Sequence, residues 1–200
     1  MHRTRGDARN DSRNLSRLFV AIFPSREAQA AAASATEALR SAGDGVSWVK
    51  RDNLHYTVRF MGELGADGAR RVIEGMREAA SDHAPFGAAL GAFGVFPSAR
   101  QARVLWVGLT EGDEQMRLLA ASLEAALVRR GFGEADKPFE PHLTVGRLRV
   151  PGDWLAKLVA TKAVDARFTV DQLLLVKSTL SPGGSVYQVV GEAWLGEDGE

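Results

Sequence analysis

Two short segments far apart in the chain are near copies of each other: Leu54-His55-Tyr56-Thr57-Val58-Arg59-Phe60 and Pro141-His142-Leu143-Thr144-Val145-Gly146-Arg147. Both alternate polar and apolar residues, the period of a strand with one buried face. Histidine and threonine two apart therefore share a face, while Tyr56, Val58, Leu143 and Val145 point to the other. A lone His-x-Thr in a strand is more often structural than chemical. The repetition with the same threonine offset is what makes the pair informative. The copies lie nearly half a chain length apart in 200 residues, which implies two related halves that each bring one histidine to a shared site.

The surroundings of each copy fit that reading. Residues 18–23 are a continuous apolar run ending at Pro24, short enough for a buried central strand. Ser25 is placed to cap an alanine-rich helix reaching to about Ser41, with Gly43 closing it. Residues 46–49 form a short strand leading into the first motif. Gly62-Glu63-Leu64-Gly65 turns the chain, and Asp67 caps a helix whose Ala69, Val72, Ile73, Met76 and Ala80 follow three-four spacing. Strands are expected over 86–96 and 104–109, then a second amphipathic helix over 113–130 that Gly131 ends. Pro141 opens the second motif strand, where no ladder donor is needed. A short helix over 153–160 and strands over 168–177 and 186–194, around the turn Ser181-Pro182-Gly183-Gly184, complete the chain. In each half a motif strand precedes a helix and two strands. The expected fold is α+β and bilobal: two antiparallel-rich sheets facing across a central cleft, helices packed outside, with a pseudo-two-fold duplication.

Composition narrows the function classes. Hydrophobic residues make up 45% of the chain, enough for one bilobal domain over 18–196. Residues 1–17 carry Arg3, Arg5, Arg9, Arg13 and Arg17 against Asp7 and Asp11, with Leu15 the one large aliphatic after Met1. They read as a disordered basic tail to which no chemistry is assigned. The 25 basic and 25 acidic residues balance, so any nucleic-acid contact must be local. The absence of cysteine excludes disulfides, thiolate nucleophiles and cysteine-based metal sites. No apolar run approaches the roughly 18 residues a membrane span needs. A soluble, cytoplasmic monomer is expected.

Imidazole titrates near pH 6.5, so one of two facing histidines can take a proton while the other gives one. That pair suits in-line displacement at phosphorus, where acid and base stand on opposite flanks. Thr57 and Thr144 can donate hydrogen bonds to non-bridging phosphate oxygens, and guanidinium matches phosphate geometry. Arg59, two after Thr57, falls on the motif face by simple alternation. Arg147, three after Thr144, reaches that face only if Gly146 marks a bulge or bend. The scheme requires neither metal nor cofactor. A zinc site is the rival, but of the four histidines His2 lies in the tail and His83 closes a helix, favoured there by the helix dipole, and neither motif has His-Glu-x-x-His spacing.

His55-Tyr56-Thr57-Val58 and His142-Leu143-Thr144-Val145 fit the paired His-x-Ser/Thr-x signature, and the chain resembles the two-histidine phosphoesterases. Within that group it is similar to the RNA 2′,3′-cyclic phosphodiesterases, historically called 2′-5′ RNA ligases, through segments 17–22, 53–55, 60–63, 103–108 and 138–142. The resemblance implies a bilobal fold and hydrolysis of RNA 2′,3′-cyclic phosphate ends to 2′-phosphomonoesters, with a weak reversible 2′-5′ joining activity in some members. It further implies His55 as proton donor, His142 as proton acceptor and Arg147 as a phosphate ligand; spacing alone does not distinguish the two histidines. Arg59 departs from the family pattern, leaving phosphate contact, RNA contact or a salt bridge across the cleft open for it. Two other classes stay in view: a related enzyme acting on small cyclic nucleotides or ADP-ribose cyclic phosphate, and a non-catalytic nucleotide- or RNA-binding module of the same fold. Intact histidines and threonines in both copies speak against the second.

Overall fold

The apolar run near the N-terminus forms β1 (Ser16–Ile22), in which Leu18 through Ile22 are all buried. In the computed structural model, which describes residues 15–41 and 45–197, this strand is covered on both faces. Leu18, Val20 and Ile22 belong to the main core, while Phe19 and Ala21 form a second small cluster with Val176. Ser16 and Arg17 were expected in the tail but already pair with β-ladder partners, Arg17 opposite Glu63 on one side and Ser178 on the other. A ladder is made by backbone groups, so a polar side chain does not bar a residue from it. The rest of the expected tail, 1–14, lies outside the described residues.

Ser25 caps α1 (Arg26–Glu37), its Oγ accepting from the Ala28 amide at 3.2 Å. The helix ends sooner than the sequence suggests, because the Leu39 and Arg40 amides tighten onto the carbonyls of Thr36 and Glu37. Gly43 lies outside the described residues. After β2 (Val46–Trp48) and a 3-10 turn at Arg51–Asn53, β3 (Tyr56–Leu64) continues two residues past Gly62, where a turn was expected. Gly62 adopts φ 74° within the strand rather than ending it. Gly65 stands at the N-cap of α2 (Ala66–Ser81), and Asp67, expected as the cap, sits inside the first turn. There its carboxylate meets the positive helix end and Arg70.

The middle of the chain follows expectation closely: β4 (Phe86–Phe96), a 3-10 turn at Ala99–Gln101, β5 (Ala102–Glu111) and α3 (Asp113–Arg129), which buries Met116, Leu119, Leu123, Ala126 and Leu127. Then come β6 (Leu143–Gly152), α4 (Leu155–Ala160), β7 (Arg167–Val170), β8 (Gln172–Ser181) and β9 (Gly184–Trp194). The single strand expected over 168–177 is two strands in different sheets. Burial changes parity across Asp171, from Phe168 and Val170 to Leu173 and Leu175: the chain crosses from one sheet to the other there.

One sheet has the order β3-β1-β8-β9 and the other β2-β6-β5-β4-β7, with antiparallel pairing throughout. Each sheet takes strands from both halves of the sequence, so the lobes do not coincide with the chain's two halves. α2 packs against α3, β8 and β9. One core joins both sheets to α1, α2 and α3. Among the described residues no helix is long and apolar enough to cross a membrane.

Candidate active site

Tyr56 and Leu143, the first residues of β3 and β6, are fully buried. Each anchors the start of its strand in the core, so the preceding histidine is turned out to the opposite face. The two rings are then held the same way. Nδ1 of His55 donates to the carbonyl of Asn53 at 2.7 Å, and Nδ1 of His142 donates to the carbonyl of Glu140 at 2.6 Å, each acceptor two residues upstream. A carbonyl can only accept, so Nδ1 carries the proton in both neutral rings. Nε2 is thereby left as the reactive nitrogen. Nε2 of His55 lies 2.9 Å from the Thr57 hydroxyl, two residues on along the motif.

His55, Thr57, His142, Thr144 and Arg147 line one cleft of about 530 Å³. The walls around His55 are aromatic: Phe23 stacks at 5.3 Å, Phe19 lies tilted at 4.9 Å and Tyr187 meets the ring edge-on at 5.2 Å. Burial among these rings pushes the His55 imidazolium below the ordinary histidine range. The Asn53 carbonyl opposes that shift, and the charges of Arg147 and His142 add to it. His142 has a lighter cover, the edge of Phe96 at 5.2 Å.

The two motif strands carry a bulge at the same place. Across β1, Thr57 stands opposite Ala21 and Arg59 opposite Val20, leaving Val58 without a partner. Across β5, Thr144 stands opposite Trp106 and Gly146 opposite Leu105, leaving Val145 without one. One extra residue reverses the alternation. The fifth residue after each histidine, Phe60 in one copy and Arg147 in the other, is therefore carried onto the cleft wall. The bulge expected near Gly146 is present, and Arg147 reaches the site through it. The same device removes Arg59: its guanidinium lies on the far side of β3, in ion-pair range of Glu124 on α3 at 3.4 Å and bonded to the Gly133 carbonyl. The assignment of Arg59 to the substrate face is corrected accordingly. It failed because alternation was counted through an unrecognised bulge.

Phe60 was not singled out from the sequence, although its offset of five from His55 matches that of Arg147 from His142. It is 66% exposed at the cleft rim. Arg17, Asn53, Ser178 and Tyr187 also line the cleft; these come from other strands and turns, and no local pattern marks them. His83 lies elsewhere, its Nε2 2.8 Å from the Ser122 hydroxyl on α3. Among the described residues, no group of three or more His, Asp or Glu side chains is placed to hold a metal ion.

The pattern of the 2′-5′ RNA ligase superfamily matches residues 24–181. The RNA 2′,3′-cyclic phosphodiesterase of Methanothermobacter thermautotrophicus is 34% identical over 155 residues, covering 76% of this chain and 83% of that protein. The enzyme of the same name from Thermus thermophilus is 33% identical over 190 residues, 92% of each chain. In three dimensions, TT0787 of Thermus thermophilus superposes with a TM-score of 0.77 at 30% identity, over 92% of this chain and 100% of that one. E. coli LigT complexed with 3′-AMP does so at 0.74 and 24% identity, over 92% and 100%, which bears on the fold. Two histidine motifs on facing sheets, a family match over most of the chain and relatives above 30% identity together place this protein in the 2′-5′ RNA ligase superfamily, with the two-histidine phosphoesterase fold.

Proposed function

We propose that the chain hydrolyses the 2′,3′-cyclic phosphate at RNA ends to a 2′-phosphomonoester, with His55 as general acid and His142 as general base. The observation that carries this reading is the matched anchoring of two imidazoles by their Nδ1–H groups, which turns two Nε2 atoms into one cleft beside Thr57, Thr144 and Arg147. Relatives of this chain bear the name of that activity. Nε2 of His142 takes a proton from water as the oxygen attacks phosphorus. The P–O3′ bond opposite breaks, and protonated Nε2 of His55 delivers its proton to the departing 3′ oxygen. Water is consumed, a 3′-hydroxyl and a 2′-phosphate form, and proton exchange with solvent resets both rings. Arg147 and the two threonine hydroxyls bind the non-bridging oxygens as charge builds on them. A 5′-hydroxyl in place of water would give 2′-5′ joining by the same groups in the same protonation states, His142 taking the proton of the 5′-hydroxyl and His55 protonating the departing 3′ oxygen.

Burial favours neutral His55, whereas a general acid must hold its proton. The anionic phosphate supplies the missing stabilisation when substrate binds, because an opposite charge within about 4–6 Å favours the charged form. The exposed ring of Phe60 at the rim offers a stacking face for the terminal nucleobase.

Purified protein with a cyclic-ended oligoribonucleotide in EDTA tests the reading. Turnover to a 2′-phosphate is expected, and His55→Ala and His142→Ala should each lower it by about a hundredfold or more with circular dichroism unchanged. A substrate with sulfur in place of the 3′ oxygen leaves without protonation and should restore His55→Ala far more than His142→Ala. The opposite pattern would exchange the two roles, and full activity in either alanine variant would end the two-histidine mechanism.

A further inference from the structure

We infer that Arg117 on α3 is a positioning residue for His142, acting as a strut that fixes the Glu140 carbonyl from which the imidazole hangs. The inference rests on the reading that His142 takes the proton from water.

Residues 131–142, which carry that carbonyl, contain neither helix nor strand, so no ladder holds Glu140 in place. Arg117 spans the gap. Its Nη1 donates to the Phe139 carbonyl at 3.2 Å and its Nη2 to the Glu140 carboxylate at 2.8 Å. Its Nε donates to Asp113 at 2.7 Å, one helical turn back. The guanidinium is thus fixed to its own helix before it reaches the loop, and it grips two consecutive residues there, one by backbone and one by side chain. The Glu140 carboxyl is held below the usual carboxylate range, chiefly by this bond, so the strut stays charged at neutral pH.

The other histidine shows what the strut replaces. Asn53, whose carbonyl orients His55, closes a 3-10 turn in which the Leu54 amide bonds to the Arg51 carbonyl at 3.0 Å, and its own side chain donates to the Ser185 carbonyl on β9 at 2.9 Å. In both cases the residue supplying the carbonyl is tied by its side chain to a distant element. For His55 the tie is a neutral amide in a local turn. For His142 it is an ion pair whose side chains are 41% and 63% exposed. A ring that swings about its strand loses alignment with the attacking water while the phosphate contacts persist, and misplacement of about 1 Å can cost about a hundredfold in rate.

Arg117→Ala, Arg117→Lys and Glu140→Gln provide the test, the last leaving the carbonyl in place. Arg117→Ala should lower kcat on the cyclic-ended oligoribonucleotide by about ten- to a hundredfold with KM little changed, Arg117→Lys should recover most of the loss, and Glu140→Gln should fall between. In parallel, ¹⁵N spectra of the histidine rings without substrate should show His142 losing its Nδ1–H tautomer preference in Arg117→Ala, with His55 unchanged. An unaltered His142 ring, or equal disturbance of both histidines, would overturn the strut. So would a loss carried by KM alone. Should the wild-type protein fail to hydrolyse cyclic-ended RNA, the proposed reaction falls while the ring spectra still decide on the strut.

Discussion

His55 sits in an apolar, aromatic niche, and His142 beneath a ring edge, so the two motif histidines of one cleft occupy different environments. For His55 the direction of the shift has two consequences. Its folded pKa is depressed, so the unfolded chain binds more protons below the ordinary value of about 6.5, and stability falls as pH drops through that value toward the folded one. Above it the niche costs nothing through this group. His55→Gln should therefore flatten the fall in stability between about pH 7 and 5 relative to wild type, measured by denaturant midpoints; an unchanged slope would remove His55 as its source. The second consequence concerns the ligand. Adding a nucleoside 2′-phosphate should raise the His55 titration midpoint followed by NMR, and a midpoint that stays put would deny that phosphate lies beside it. Phe60→Ala should raise KM about five- to a hundredfold, the range of lost base stacking, and leave a baseless ribose cyclic phosphate unaffected.

The elements place these residues through paired irregularities. One bulge after each motif threonine decides which side chain enters the cleft, and Gly146 allows the second bulge to close. A Cβ there would stand 2.7 Å from Val46 Cγ1 and 3.2 Å from Trp48, and the Val145 carbonyl accepts from the Val49 amide at 2.9 Å. Gly146→Val should cost about 1–3 kcal/mol as β2 is pushed aside and should also reduce turnover by displacing Arg147; a variant with wild-type stability would mean that β2 yields freely. Arg147→Ala should cost about a hundredfold in kcat. Arg59→Ala, on the far face, should instead leave turnover nearly unchanged and destabilise by about 1–3 kcal/mol, because its side chain is 15% exposed and its loss takes a donor from Glu124 and from the Gly133 carbonyl, checked by kinetics beside thermal unfolding.

At the scale of the whole molecule, the chain passes between sheets several times before the site is complete. β1 and β3 set His55 in one sheet with β8 and β9, while β6 sets His142 in the other between β2 and β5. A single core spans both sheets, so the two faces of the cleft are expected to melt together in one transition by calorimetry, with calorimetric and van't Hoff enthalpies agreeing. Two resolved transitions would mean that the cleft is assembled from independently stable parts.

Local pattern alone determined the α+β class, most strands and helices, and the identity of the histidines and threonines, because burial of one strand face or helix stripe writes a period directly into the sequence. Tyr56 and Leu143 alternate with His55, Thr57, His142 and Thr144, and that alternation survives folding up to each threonine. Past the threonine the register depended on a partner strand. The bulge in β6 is marked by Gly146, whereas the one in β3 lies in Thr57-Val58-Arg59-Phe60 with no glycine to mark it, so simple alternation puts Arg59 on the wrong face and misses Phe60. The division of 168–177 between two sheets follows the shift of burial parity at Asp171, and that parity exists only once the two sheets are packed. Arg17, Tyr187 and Arg117 lie far in sequence from the motifs they serve, on β1, β9 and α3, and only tertiary packing brings them to the cleft or its support.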